Sequence, residues 1–294
     1  MKTNRNAILI VFLLTLVINI QVIAQTKQPI PSSTLWQLSM DGTTNLSYIL
    51  LTTTTCSDIK LSDKAKSKLQ EVESILVESN LNSKQNSKSL LSLVGIKSDD
   101  QRIKNILPNT PYHQLIYACK EYGLSEQFLN QFKPFYIYSL VMQNANPCPP
   151  SGSVENELQE YAKKNGKNYE EIFSPENVIA DFDGYSKEYW RQLISYSITN
   201  NNTIKQSLQV KNDYYDKENL EGLSHLLSTD PYFKLKYAPH LGDQRSKLIF
   251  EAIEKATKNH KVLITTDILW SLQGEQNSVF QLLKTAGYKL TPVL

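Results

Sequence analysis

Apolar positions alternate near both ends of the chain and recur at helical spacing between them. Leu35-Trp36-Gln37-Leu38 alternates, and Ser47 to Thr55 (SYILLTTTT) is a β-rich run. With Asp41-Gly42 as a turn signal between them, residues 34–55 read as a hairpin. Leu69, Val72 and Leu76 recur at i, i+3 and i+7, with lysines and glutamates on the other face. That spacing predicts a helix over 61–81. Residues 82–98, rich in Asn, Ser and Lys, read as a loop with a short helix. Residues 111–145 hold helical segments around Leu115-Ile116 and Phe128-Leu129, and Pro134 sits where one breaks or begins. Ser153 ahead of Val154-Glu155-Asn156-Glu157 starts a helix whose acidic first turn suits its dipole, and Gly166 ends it after two lysines. Residues 186–199, 217–227 and 244–258 read as further helices. Lys261 to Leu294 reads as a strand, a turn, a short helix and a closing strand.

Strands at both ends with helices between them predict an α/β (α+β) fold. Its mixed central sheet is formed by the N- and C-terminal strands and flanked by many helices. No repeat of solenoid period is visible. Asn146 to Gly152 (NPCPPSG) is the clearest linker signal, and residues 25–33 (QTKQPIPSS) form a polar linker with two prolines. The expected organisation is a signal peptide over 1–24, that linker over 25–33, and a single domain over 34–294.

The leader rests on Lys2 and Arg5 ahead of the apolar run Ala7 to Ile18, with Val22-Ile23-Ala24 offering small residues before Gln25. Export to a periplasmic or secreted location follows from that reading. The competing reading keeps Ala7 to Ala24 as a membrane anchor, but a span needs about 20 strongly apolar residues and Asn19 and Gln21 interrupt this one. No cysteine stands at the cleavage point, which argues against a lipoprotein.

Composition adds mostly exclusions. Of 294 residues, 40% are apolar and 20% charged, which excludes a disordered or fibrous chain. The 31 basic residues less Lys2 and Arg5 equal the 29 acidic ones, so the mature chain is neutral. No basic stripe with interleaved aromatics points to nucleic acid. Cys56, Cys119 and Cys148 allow one disulfide and leave one thiol, or three unpaired thiols, and C-x-x-C spacing is absent.

Several segments, in order, are similar to a known family. Leu35-Trp36-Gln37-Leu38 and Ser47-Tyr48-Ile49-Leu50 resemble an opening L-W-x-I and S-Y-L-F-G-T-x-H, whose G-T-x-H positions fall on Leu51 to Thr54. Glu78 resembles an acidic residue after the first helix. Leu124, Phe128-Leu129 and Lys133-Pro134-Phe135 resemble a G-L…K-P-W segment, and Glu157-Leu158, Ala162-Lys163 and Gly166-Lys167 the helix that follows. Glu171 to Asn177 takes the place of G-L-E-T-x-E-Q, keeping only its second glutamate as Glu176. Phe182-Asp183 fits what comes next. Gln244-Arg245-Ser246 resembles E-R-N, and Ile268-Leu269-Trp270-Ser271 takes the place of G-x-x-H. Leu282-Leu283, Ala286-Gly287-Tyr288 and Thr291-Pro292-Val293 resemble the closing segment. The chain resembles the TraB/GumN family, which includes relatives of the Tiki proteases, over roughly 250 residues.

That resemblance implies a metal-dependent hydrolase ancestry and points to family-equivalent positions at Thr54, Glu78, Phe173, Glu176, Arg245 and Ser271. Metal-assisted hydrolysis needs two or three strong ligands and a polarised water. Thr54, Phe173 and Ser271 stand where the principal ones are expected, and a hydroxyl or a phenyl ring is a poor replacement for imidazole or carboxylate. Asp267, four residues before Ser271, is a possible substitute ligand or an ordinary strand-end turn residue. The Thr52–Thr55 run reads either as hydroxyls lining a pocket or as ordinary strand residues. His113, His225, His240 and His260 show no metal spacing. Glu170-Glu171 and Asp181…Asp183 read as solvated or capping acids. Tyr136, Tyr138, Tyr214 and Tyr215 offer either a contact surface or core and rim positions.

The expected function is therefore a binding or scaffolding role for a peptide or protein, with no catalytic residue, cofactor or metal. A divergent metal-dependent peptidase or hydrolase, using Mn, Co or Zn with Glu78, Arg245 and Asp267, is the second reading. A membrane-anchored interaction domain is the third.

Overall fold

The computed structural model describes residues 32–41, 46–53, 61–81, 92–120, 123–145, 153–237, 239–272 and 277–294. Two strands open the fold, β1 (Leu35–Met40) and β2 (Ser47–Thr52), paired antiparallel with Leu35 opposite Leu50 and Leu38 opposite Ser47. Every residue of β2 is buried, which marks an interior strand. The chain then enters α1 (Asp63–Glu71), capped by Ser62, whose hydroxyl accepts the N–H of Ala65.

The helix stops there. Val72 takes an extended conformation, and β3 (Ser74–Val77) follows. The helix expected over 61–81 is thus a helix plus a strand. Leu69 packs from α1, whereas Ile75, Leu76 and Val77 are buried in succession within the sheet. Spacing at i, i+3 and i+7 cannot separate those two arrangements over so short an apolar run.

The helices α2 (Asn109–Lys120), α3 (Glu126–Leu129) and α4 (Pro134–Ala145) come next, then α5 (Val154–Asn165), ended by Gly166 in the left-handed region. β4 (Asn168–Glu171) is a short edge strand. After it run α6 (Pro175–Asp183), α7 (Lys187–Thr199), α8 (Asn201–Asp216), α9 (Leu220–Thr229), α10 (Pro231–Lys236) and α11 (Pro239–Thr257). The chain closes with β5 (Val262–Asp267), α12 (Ile268–Leu272), α13 (Val279–Thr285) and β6 (Tyr288–Pro292).

Among the described residues six strands form one mixed sheet in the order β4-β3-β5-β2-β1-β6. The strands β2, β3, β4 and β5 run parallel, and β1 and β6 run antiparallel to their neighbours. The N- and C-terminal strands build the sheet as expected, and β3 and β4 extend it. Alternation divides the core. Leu35, Tyr48, Leu50, Ile75, Val77 and Leu263 face α1 and α5 on one side, with Leu69, Leu158 and Ala162 packed among them. On the other side Trp36 meets Phe280 of α13 edge to face at 5.1 Å. Each such fully buried large apolar side chain contributes about 1.5–3 kcal/mol. The helices α4, α7, α8, α9 and α10 pack mainly on one another beyond the sheet.

Residues 1–31, including the signal-peptide reading, lie outside the described residues, as do Thr54, Cys56, Cys148 and the linker over 146–152. Among the described residues no helix is long and apolar enough to cross a membrane. Cys119 is a buried free thiol, and burial raises its pKa.

Candidate functional site

Parallel strands end together, and the residues just past their carboxyl ends meet in space. In open α/β sheets this edge is the usual ligand position. Here it collects Thr52 at the end of β2 and Thr53 just past it, Glu78 after β3, Phe173 after β4 and Asp267 at the end of β5. Thr52 lies beside Asp267 in the ladder, and the N–H of Phe173 bonds to the carbonyl of Glu78 at 2.9 Å.

Glu78 is the centre of this edge. Its Oε1 accepts from Arg245 Nε at 2.7 Å and from the Trp270 indole N–H at 3.1 Å. Its Oε2 accepts the backbone N–H of Asp267 at 2.9 Å. The Arg245 and Glu78 side chains are only 15% and 13% exposed, so this is a largely desolvated, charge-assisted contact. Arg245, carried by α11, also donates through Nη1 to Asp181 of α6 at 3.0 Å. Its guanidinium lies 4.4 Å from the centre of the Phe173 ring and 5.8 Å from that of Trp270. Phe173 therefore serves as one wall of a cation–π seat for Arg245. Tyr237 meets Trp270 edge to face at 6.0 Å.

Asp267 adjoins this group. Its Oδ1 accepts the N–H of Leu269, which starts α12. Burial pushes its carboxyl up to about 6, and the negative charge of Glu78 adds to the rise, while Leu269, Lys236 and Lys211 pull the other way. Glu155, in the first turn of α5, is raised by burial and then by the charges of Glu78 and Asp267. Lys211 of α8, 5% exposed, donates to Thr53 Oγ1 at 3.3 Å. Burial works against the charge of Lys236, yet Tyr237, Tyr232 and Asp267 hold its pKa above the ordinary value. Tyr237 is pushed up to about 12 by burial, with Lys236 opposing. Tyr215 is also raised by burial, and its hydroxyl donates to the Leu51 carbonyl at 2.8 Å.

Of the positions taken from sequence, Glu78, Phe173, Arg245 and Asp267 come together. Ser271 is on the adjacent α12 but fully buried, and its hydroxyl donates to the carbonyl of Asp267 at 3.1 Å. The side chain of that turn which reaches Glu78 is Trp270, one residue earlier. Glu176 is exposed in the first turn of α6, where its own backbone N–H lowers its pKa. His113 and His225 are exposed on helices, and His260 pairs with Glu73 at the surface. The side chain of His240 lies outside the described residues. Among the described residues no group of three or more His, Cys, Asp or Glu is placed to hold a metal ion.

Sequence reasoning missed Trp270, Asp181, Glu155 and the two lysines. Trp270 lies inside the Ile268–Ser271 segment that resembles the family's turn motif. Glu155 was legible only as a helix-start acid, and Asp181 only as a surface or capping one.

The sheet topology and an arginine-clamped glutamate at its carboxyl edge define an α+β protein with a charged site assembled from strand ends. The chain belongs to the TraB/PrgY/gumN family, whose sequence profile matches residues 34–292. A search among curated proteins finds no match, and neither does one among solved structures.

Proposed function

We propose that this TraB/PrgY/gumN-family protein is exported and uses the carboxyl edge of its sheet to bind a peptide or protein segment rather than to hydrolyse one. The observation that carries the reading is the engagement of Glu78. Both of its oxygens are taken, by Arg245 and Trp270 on one side and by the Asp267 N–H on the other. A carboxylate already neutralised by a guanidinium is a weak metal ligand, because an incoming cation meets the charge of Arg245 at close range. Phe173 offers a ring and no donor, and the Ser271 hydroxyl is committed to its own helix. This donor set does not fit a divalent cation. Tyr237, packed on Trp270, combines large apolar area with a polar tip, which suits peptide contact.

Asp267 favours a second reading. A buried carboxyl pushed up to about 6 at a sheet edge can take up and release a proton near neutral pH. In that case the protein is a divergent hydrolase with Asp267 as the proton-transfer group.

One preparation separates the readings. Protein recovered from the exported fraction, with its N-terminus at Gln25 by mass spectrometry, is assayed for bound metal. It is then tested for cleavage of an unstructured peptide mixture with and without Mn, Co and Zn. The expected result is substoichiometric metal and no cleavage under any condition. Stoichiometric metal with metal-dependent cleavage overturns the binding reading. Metal-independent cleavage lost in Asp267→Asn selects the second one.

A further inference from the structure

A second feature lies on the other side of α6. Asp181 and Asp183 are two residues apart on a helix, so they face different ways. Asp181 holds Arg245, and Asp183 holds Lys133, its Oδ2 2.7 Å from Lys133 Nζ. Lys133 is 2% exposed and Asp183 31%. Both line a cavity of ≈160 Å³ together with Phe135, Phe182, Tyr185 and Trp190. One ordered water needs about 10–15 Å³ of such space, so there is room for about 11–16 non-hydrogen atoms.

The lysine is under-used. An ammonium carries three N–H donors, and among the described residues Lys133 Nζ makes a single hydrogen bond. A buried donor without a partner is costly, so an acceptor entering the cavity gains a charge-assisted bond there. The walls set the rest of the ligand. Phe135 and Phe182 stack at 5.0 Å with their planes 10° apart, and Tyr185 and Trp190 meet edge to face at 5.6 Å. Rings of this kind take a flat or aliphatic body. Charge limits the anion: Asp183 already neutralises Lys133, and Asp100 and Lys187, paired at 2.8 Å, add no net charge to the lining. A doubly charged group such as phosphate meets repulsion from Asp183, whereas a carboxylate carries one charge.

We infer that this cavity binds a carboxylate borne on an aromatic or aliphatic body, with the carboxylate on Lys133 and the body among Phe135, Phe182 and Trp190. The same chemistry is offered by a free aromatic acid and by the C-terminal residue of a peptide.

The test is calorimetric titration of the whole protein with N-acetylphenylalanine and its amide, and with a short peptide ending in Phe as free acid and as amide. The acids are expected to saturate, and each amide to bind about ten-fold more weakly or worse. Binding of the small acid alone assigns a free acid as the source. Binding of both acids admits a peptide terminus. Lys133→Met is expected to lose the acid–amide difference. Because a buried lysine variant can fail to fold, Asp183→Asn provides a second arm. It removes the competing charge at a part-exposed position and is expected to tighten acid binding several-fold. No saturation by about 10 mM, equal binding of acid and amide, or unchanged or weaker acid binding in Asp183→Asn overturns the inference.

Discussion

Asp267 is the residue on which the chemistry of the sheet edge turns. Its carboxyl has an ordinary value of 3.8 and is held near 6 in the fold by burial and by Glu78. The folded protein therefore binds more protons than the unfolded chain between about pH 4 and 6, and stability falls as pH rises across that window. Below it the penalty is absent, and above it the penalty is complete. Asp267→Asn keeps an oxygen for the Leu269 N–H and removes the ionisation. In urea unfolding the variant is expected to gain about 1–3 kcal/mol over wild type near pH 7.5 and nothing near pH 4. An equal gain at both values would assign the effect to packing instead. Asp267 was legible from sequence as a candidate because it ends an apolar strand. Its environment was not, since Glu78 is 189 positions away along the chain.

At the scale of the element, α6 determines whether the two sites share a wall. It opens with a full capping box: Ser174 Oγ accepts the Asn177 N–H at 3.3 Å, and Asn177 Oδ1 accepts the Ser174 N–H at 3.2 Å. Pro175 follows at the first helical position. The helix spans only Pro175–Asp183, so its start influences the placement of Asp181 and Asp183 near its end. Ser174→Ala is expected to cost about 0.5–2 kcal/mol in thermal or urea unfolding. Unchanged stability would mean that Arg245 and Lys133 hold the helix without its cap. The capping box and proline are local signals and could have been read from Ser174-Pro175-Glu176-Asn177. The same residues resemble a degenerate family motif whose retained acid is Glu176, which the fold leaves exposed. Local pattern misled once more at 61–81, where β3 takes part of an apolar run that also fits a helix. The choice belongs to the slot between β4 and β5, which an extended segment alone can fill.

Across the whole molecule, the sheet joins the two ends of the domain. β1 lies between β2 and β6, and five of its residues pair with β6, from Trp36 opposite Pro292 to Met40 opposite Tyr288. The Val293 N–H bonds to the Leu35 carbonyl at 2.8 Å, and the Ser33 hydroxyl donates to the Val293 carbonyl at 2.7 Å. Ser32 to Leu294 accordingly forms one compact unit. Removing residues 288–294 leaves β1 as an open edge with Trp36 and Leu38 uncovered, the condition that favours aggregation. The truncated protein is expected to melt about 10 °C lower, or to fail to stay soluble, as followed by scanning fluorimetry. An unchanged melting temperature would show that α13 alone keeps that side of the sheet covered.

Sequence by itself determined the terminal strands, the class of fold, most of the long helices and a family resemblance spread over the domain. These are properties of local spacing: period-2 and helical recurrence, caps, and short motifs that need no partner to be read. Tertiary structure alone decided that β3 and β4 join the sheet, that Trp270 rather than Ser271 reaches Glu78, and that α6 carries one aspartate to each of two sites. Those outcomes depend on which strand ends lie side by side and on which buried charges must find partners. No window along the chain contains both members of such a pair.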